Sequence, residues 1–287
     1  MEERSGIFEE NEIKALNETE LAELKSAKNN LEKIGSIMKG INKVGSGFES
    51  GIKVLPEKQQ IWLSKNISNI LFKILKSNIN AIKNNKTFKT SSDSTFKALV
   101  GLSGIGSGFF GSFNILGSSI FISELYFSTR IMMRSILEIA KSEGENIYEI
   151  ETQLACIQVF ALGGNSTAKN AAKSPYYSTR EAMANALESA NNYLKKNGVE
   201  GLEDMSMYNT NPVLMMIGLI ATRLTIQITE KFISRAVPII GAASGGALNY
   251  FYIEHYQKIA RAHFIVRRLE RENNKDIVKK AYNTIII

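Results

Sequence analysis

The sequence contains few of the residues that form crosslinks, rigid turns and metal sites: one cysteine, four prolines, one tryptophan and two histidines in 287 residues. A single cysteine excludes an internal disulfide, and Cys156 lies in an apolar run, which predicts a buried, inert thiol and a reducing compartment. The N-terminus is acidic and lacks the basic start and short apolar core of a secretory signal. We therefore expect a cytoplasmic protein.

The motifs of the common catalytic and metal sites are also missing. His255 and His263 are the only histidines, and eight positions on one helix would separate them by about 12 Å, too far to share a metal ion. Gly106, Gly108 and Gly111 match the dinucleotide-binding pattern, but no strand precedes them and no acid follows about 20 residues later. We predict no metal and no cofactor, and whether the protein is an enzyme stays open.

Acidic residues are absent from one long stretch, residues 58–92, which contains seven lysines. Residues 1–35, by contrast, carry nine acidic and five basic side chains. The basic stretch could meet anionic lipid, nucleic acid or the chain's own acidic N-terminus, and a solvated lysine face is the plainest alternative. Single-stranded nucleic acid favours aromatic side chains among the bases, and this stretch offers few, so we expect no nucleic-acid partner.

Apolar residues recur at helical spacing along most of the chain, and no convincing strand pattern occurs. Asn17 with Glu20, and Ser178 with Glu181, have the form of capping boxes, which predict helix starts at both places. The expected helices cover residues 18–44, 57–83, 98–120, 124–141, 145–162, 178–198, 213–235 and 238–252, the last continuing to about residue 273.

These patterns predict an all-α protein. We expect a single multi-helix domain of about eight helices over residues 51–287, preceded by an acidic N-terminal helical extension over residues 1–50. The acidic extension is a candidate to fold over the basic helix at residues 57–83.

Two Gly-rich segments, residues 98–123 and 236–253, carry no charged side chain. The first is long enough to cross a bilayer, which takes about 20 residues, yet its hydrophobicity is weak for a lipid-exposed helix. Gly104, Gly108 and Ser112 recur every four residues, a spacing that lets another helix backbone approach closely. We expect the two Gly-rich helices to pack together at the centre of the domain.

Two groups of residues are candidates for function. The basic helix could lie flat on anionic lipid, where each lysine near the surface contributes about 1 kcal/mol. The candidate lipid-contact residues are Lys65, Lys73, Lys76 and Lys83. The second group consists of polar residues in or beside apolar helices, where a buried charge needs a partner, so we expect Glu124 to pair with Arg130 or Arg134. The candidate ligand-binding residues are Glu124, Arg130, Arg134, Asn249 and His255.

Several long runs of the sequence resemble the EcsC family of bacterial proteins. They cover residues 134–145, 154–164, 177–187 and 236–249, followed by His255, Ala260, Phe264 and residues 267–270. The resemblance extends over about residues 55–282 and implies an α-helical domain, usually membrane-associated, whose biochemical activity is not established. It supplies no catalytic residues. Tyr126 stands where family members often have proline, so the kink that the family implies there is not expected.

The sequence therefore favours a membrane-associated accessory protein, attached peripherally to the inner face of the cell membrane, that binds anionic lipid or a membrane-protein partner. The alternative is a soluble enzyme or small-ligand-binding protein with a buried polar pocket around Glu124, Arg134, Asn249 and His255. A third possibility is a structural adaptor, in which changes to these polar residues would alter stability alone.

Overall fold

A computed structural model describes residues 16–32, 57–84, 86, 119–162, 174–200, 202, 210–233 and 244–287. These residues form eight α-helices and no strand, which confirms the predicted all-α fold for the described part of the chain. The helices are α1 (Glu18–Glu32), α2 (Glu57–Lys83), α3 (Ser119–Ser142), α4 (Ile150–Leu162), α5 (Pro175–Asn197), α6 (Pro212–Ile233), α7 (Ser244–Glu272) and α8 (Lys275–Thr284).

Helix α4 lies at the centre of the described helices and contacts α2, α3, α5, α6 and α7. Every residue from Thr152 to Leu162 is buried. A helix that is apolar on all sides has to be covered on all sides, so the neighbouring helices surround it. Cys156 is fully buried in this helix, and burial, together with the charge of Glu145, raises the pKa of its thiol. The predicted buried cysteine is confirmed.

One of the two predicted capping boxes forms. The backbone N–H of Glu20 donates to Asn17 Oδ1 at 2.9 Å, and the backbone N–H of Asn17 donates to Glu20 Oε2 at 2.7 Å. The second prediction is wrong, because α5 begins at Pro175 and Ser178 lies inside its first turn, where its backbone N–H donates to Ser174 O. Proline starts a helix well because its φ is already helical and the first turn needs no N–H donor.

The predicted ends of two helices are confirmed. Gly144 and Gly198 have φ angles of +78° and +67° and follow α3 and α5, as expected for residues that end a helix in the left-handed region. Helix α4 starts later than predicted, at Ile150, after a turn that carries Glu145 into the interior. Helix α8 was not predicted as a separate helix, although the side chain of Asn274 caps its N-terminus.

Helix α1 is the described part of the acidic extension, and it packs mainly on α7, with smaller contacts to α8 and α5. Lys28 is buried and donates from Nζ to Tyr282 O and Ile285 O, both at 2.8 Å. A cation at this position satisfies carbonyl groups that lack partners at the end of α8. Helix α1 is therefore held on α7 and α8 and not over the basic helix α2, the position for which the acidic extension was a candidate; the rest of the extension lies outside the described residues.

Much of the Gly-rich sequence, residues 98–118 and 236–243, lies outside the described residues. From Ser244 onward the second Gly-rich segment forms the first turns of α7. The packing of the two Gly-rich helices on each other therefore stays a prediction. None of the described helices combines the length and the apolar character that crossing a bilayer requires.

The burial of α4 predicts a large effect of truncating Phe160, which is fully buried and lies 5.2 Å between ring centroids from Tyr256 of α7. Phe160→Ala should lower the free energy of unfolding by about 3–5 kcal/mol, because it leaves a cavity between the two helices. The control Phe127→Ala removes a ring that is 57% exposed and should change this free energy by less than about 0.5 kcal/mol. Urea unfolding followed by circular dichroism makes the comparison, and similar losses for both variants would contradict the central position of α4.

Candidate functional site

The lysines of α2 share one face of the helix. At about 100° per residue, Lys58, Lys65, Lys76 and Lys83 project within about 20° of one another, and Lys73 lies about 60–80° to one side. We call these five residues the lysine face; it extends about 38 Å along the helix axis. All are exposed except the half-buried Lys76. The opposite side is buried and carries Leu63, Ile67, Ile70, Leu71, Ile74 and Leu75.

Little negative charge balances the lysine face within its own helix. The only acidic residue of α2 is Glu57, in the first turn. Lys83 Nζ lies 2.8 Å from Oε1 of Glu200, and the hydrogen bond from Lys83 lowers the pKa of that carboxyl. Both side chains are well exposed, and an exposed ion pair of this kind contributes little free energy. Glu200 therefore competes only weakly with an external anion for the charge of Lys83.

Exposed apolar side chains occur on α2 and on its neighbour α6. Ile61 is 61% exposed and projects about 60° from Lys58, and Trp62 beside it is half-buried. Helix α6, which packs along α2, exposes Met215 and Leu219 one turn apart. Single exposed apolar residues are common on protein surfaces, but Ile61 is placed by its own helix among the lysines.

The second group of candidates from the sequence is dispersed where the structure describes it. Arg130 and Arg134 lie one turn apart on α3, and both are exposed. His255 lies on α7 and is buried. The two arginine side chains therefore do not enclose a buried pocket with His255. The side chains of Glu124 and Asn249 lie outside the described residues, so their pairing and the pocket around them stay predictions.

One cluster of largely buried polar contacts joins the end of α7 to Glu145. Arg267 donates from Nε to Glu145 Oε1 at 2.8 Å and from Nη2 to Oε2 at 3.3 Å, and Arg271 donates to the same carboxylate. The Glu145 side chain is only 5% exposed, and burial alone would raise its pKa. The hydrogen bond and charge of Arg267, with the charge of Arg271 and a hydrogen bond from Thr152, outweigh burial, so the pKa of Glu145 is lowered.

Arg268 binds acidic residues from three parts of the chain. Its guanidinium nitrogens lie 2.9 Å from Glu23 of α1, 3.0 Å from Glu143 after α3 and 3.2 Å from Glu272 of α7. Arginine suits this position because its guanidinium presents five donors in a fixed plane. The residue therefore fastens α1 to the end of α7, which is a structural role.

His263 of α7 is fully buried within a second polar cluster. Arg180 Nη1 donates to the Tyr176 hydroxyl at 3.3 Å, and this hydroxyl lies 2.9 Å from His263 Nδ1. The other ring nitrogen, Nε2, is buried and has no hydrogen-bond partner among the described residues. Burial, with the charges of Arg180 and Arg267, lowers the pKa of His263 well below its ordinary value. Arg180 also binds Glu270 through two hydrogen bonds of 2.8 Å.

The model of the EcsC protein family matches residues 18–269, which is most of the chain. The chain belongs to the EcsC protein family. The match starts at the first residue of α1 and so includes part of the sequence that we assigned to an N-terminal extension. No curated protein and no solved structure matches the chain.

The two largely buried ion pairs just described in this EcsC chain, Glu145–Arg267 and Arg180–Glu270, were not among the candidates drawn from its sequence. Glu145 and Arg267 are 122 positions apart, and Arg180 and Glu270 are 90 positions apart. Pairs at such separations leave no local periodic signal. The signal that could have found them is the family resemblance, because all four residues lie in runs that carry it.

The burial of Glu145 predicts that Glu145→Gln lowers the free energy of unfolding by about 3 kcal/mol, because it leaves Arg267 without its carboxylate partner. The control is Glu151→Gln, since Glu151 is 59% exposed and lies 3.4 Å from Arg267. That change should cost less than about 0.5 kcal/mol. Chemical unfolding at neutral pH measures both, and an equal cost would show that Glu145 is not the main partner.

The neutral state of His263 predicts a loss of stability as pH falls. An unfolded histidine binds a proton near pH 6.5, whereas the folded protein keeps His263 neutral, so its stabilising contribution is complete above about pH 7 and declines below it. The slope for one proton approaches about 1.4 kcal/mol per pH unit. His263→Gln should flatten the dependence of the unfolding free energy between pH 7.5 and 5.5. An unchanged slope in this variant would assign the effect to other groups.

Proposed function

We propose that the protein is a peripheral membrane protein, and that its lysine face binds the anionic lipid surface on the cytoplasmic side of the cell membrane. The observation that carries the proposal is the alignment of five lysines along one face of α2, a helix whose only acidic residue is Glu57. Because the apolar side of α2 packs on other helices of the protein, the attraction to an anionic lipid surface comes from the lysines.

The charge of the lysine face is sufficient for reversible attachment. Each lysine close to an anionic surface contributes about 1 kcal/mol, so several acting together bind at the level of a few kcal/mol. Salt screens this attraction over about 10 Å at 0.1 M ionic strength, so binding should weaken steeply as salt rises.

The position of α2 in the fold supports a flat orientation on the membrane. Its buried side contacts α6, α4 and α3, so the body of the protein lies behind the helix and the lysine face points outward. Ile61 is available to enter the boundary between head groups and acyl chains. A single apolar side chain adds to the attraction of the lysines without making attachment irreversible.

Nucleic acid would be attracted by the same charges, but the aromatic side chains of α2 fit it poorly. Single-stranded nucleic acids stack their bases on exposed aromatic rings. Phe72 is buried, and Trp62 is half-buried against the core. The lysine face therefore offers charge without a row of rings, which favours a lipid surface.

The proposal predicts that the full chain binds phosphatidylcholine vesicles containing 30% phosphatidylglycerol and is released by 0.5 M salt. Changing Lys65, Lys73, Lys76 and Lys83 to Gln should reduce the partition coefficient at 0.1 M salt at least about ten-fold, because four surface charges are lost. Vesicle co-sedimentation measures the partition coefficient.

The matched control changes four exposed lysines on other helices to Gln: Lys195, Lys196, Lys275 and Lys280. It removes the same charge and should keep most of the binding. Equal weakening of both variants would show a general charge effect. Binding to cell membranes together with a failure to bind protein-free vesicles would replace lipid with a membrane-protein partner.

A further inference from the structure

A second feature, separate from the lysine face, is an open cleft of about 260 Å³ between α4, α5 and α7. Its polar lining residues are Glu151 and Gln158 of α4, Glu188 and Asn191 of α5, and Arg267 of α7. Leu154 and Leu187 contribute apolar wall. The volume suits a guest of a few carbon atoms, smaller than the drug-sized ligands that fill pockets above about 300 Å³.

The floor of the cleft holds amide atoms that have no hydrogen-bond partner among the described residues. Gln158 is 3% exposed, lines the cleft and makes no hydrogen bond with the described residues. Asn191 Oδ1 is buried and likewise lacks a partner there. Buried amides are nearly always hydrogen-bonded, because an unmet donor or acceptor costs about 1–3 kcal/mol. A nearly buried amide that lines the cleft, beside a second lining residue with an unpartnered amide oxygen, indicates a site for a guest with hydrogen-bonding atoms at its inner end.

The mouth of the cleft is negatively charged. Glu151 and Glu188 are both exposed there. Arg267 is the only cation among the lining residues, and Glu145 already holds it through two hydrogen bonds. Glu151 also lies 3.4 Å from Arg267, and Arg271 shares the Glu145 carboxylate. Three carboxylates, Glu145, Glu151 and Glu188, thus stand against two guanidinium groups, and the remaining negative charge makes the mouth attractive to a cation.

We propose that this cleft binds a small aliphatic primary amine whose other end carries an uncharged hydrogen-bonding group, as in an amino alcohol. The ammonium group pairs with the carboxylates of Glu151 and Glu188, and the carbon chain lies against Leu154 and Leu187. The uncharged end meets the amides of Gln158 and Asn191, which can both donate and accept. A second ammonium is disfavoured at that end because the floor holds no carboxylate to balance it.

This inference is independent of membrane attachment. The cleft is formed by α4, α5 and α7, whereas the lysine face belongs to α2, so neither set of variants changes a residue of the other site. Loss of vesicle binding would leave the amine site untouched, and absence of amine binding would leave the lipid proposal untouched.

The test is calorimetric titration of the full chain with 5-aminopentan-1-ol, with pentylamine and pentan-1-ol as reference compounds. We expect a dissociation constant of about 1 mM or tighter for the amino alcohol, weaker binding of pentylamine and none of pentan-1-ol. Glu188→Gln should weaken the amino alcohol about ten-fold by removing one charged contact. Gln158→Leu should weaken the amino alcohol and leave pentylamine unchanged, because only the former has a group for the amide.

The matched control is Glu181→Gln, which removes a carboxylate two turns earlier on α5, outside the cleft, and should stay within about two-fold of the original affinity. Thermal unfolding confirms that each variant is folded, and Glu188→Gln tests the site if Gln158→Leu is not. Three results would overturn the proposal: no saturable binding up to about 10 mM, equal binding of pentan-1-ol, or equal weakening by Glu181→Gln and Glu188→Gln.

Discussion

The described fold depends on α4, a helix that exposes no side to solvent along most of its length. Helix α4 buries every residue from Thr152 onward, so its polar side chains have to find partners inside the protein. Thr152 donates to Glu145, and Gln153 donates to Ile147 O and accepts from Asn78 of α2. Gln158 is the remaining amide of this helix, and it faces the cleft. The need of buried polar side chains in α4 for hydrogen-bond partners therefore also points to the proposed amine site.

The positive charges of the described residues divide into two kinds. Arg180 and Arg267 are largely buried, and each is matched to a carboxylate by two hydrogen bonds. Removing either partner would leave an uncompensated buried charge, so these arginines serve the fold. The lysines of α2 are mostly solvated, and the only acidic residue on their own helix is Glu57. Charge that contributes little to folding is available to an external surface, which is the physical basis of the proposed membrane contact.

Local features of the fold were predictable from the sequence, and long-range ones were not. The capping box at Asn17, the glycine ends of α3 and α5 and the bounds of α2 follow from interactions within a few residues. The start of α5 was misplaced because Pro175 competes with Ser178 as a helix-start signal, and proline at the first position prevails. The number of helices agrees with the expectation although the sets differ, since α8 was not anticipated and the Gly-rich helix at residues 98–120 is mostly outside the described residues.

The two candidate sites also differ in how far local sequence could predict them. The lysine face could be predicted because one helical period defines it, with apolar residues on the opposite side. The polar pocket was inferred from charges that lie between apolar residues in α3, but Arg130 and Arg134 lie one turn apart on the outward side of that helix and are solvated. An apolar run around a charge shows only that the helix has a wide buried side.

Arg267, which is largely buried, occurs in a segment, residues 267–272, that is almost entirely charged and would be expected to be solvated. Arg267 and Arg268 are neighbours in the chain, about 100° apart around α7. One meets Glu145 in the interior, and the other meets Glu143 and Glu23 nearer the surface. Whether Arg267 is buried is thus decided by the carboxylate that another part of the chain brings to it, since desolvation of a charge is tolerated only where a partner compensates it. The neighbours of Arg267 and Arg268 in the sequence carry no information about these partners, because the partners lie in α1 and in the turn between α3 and α4.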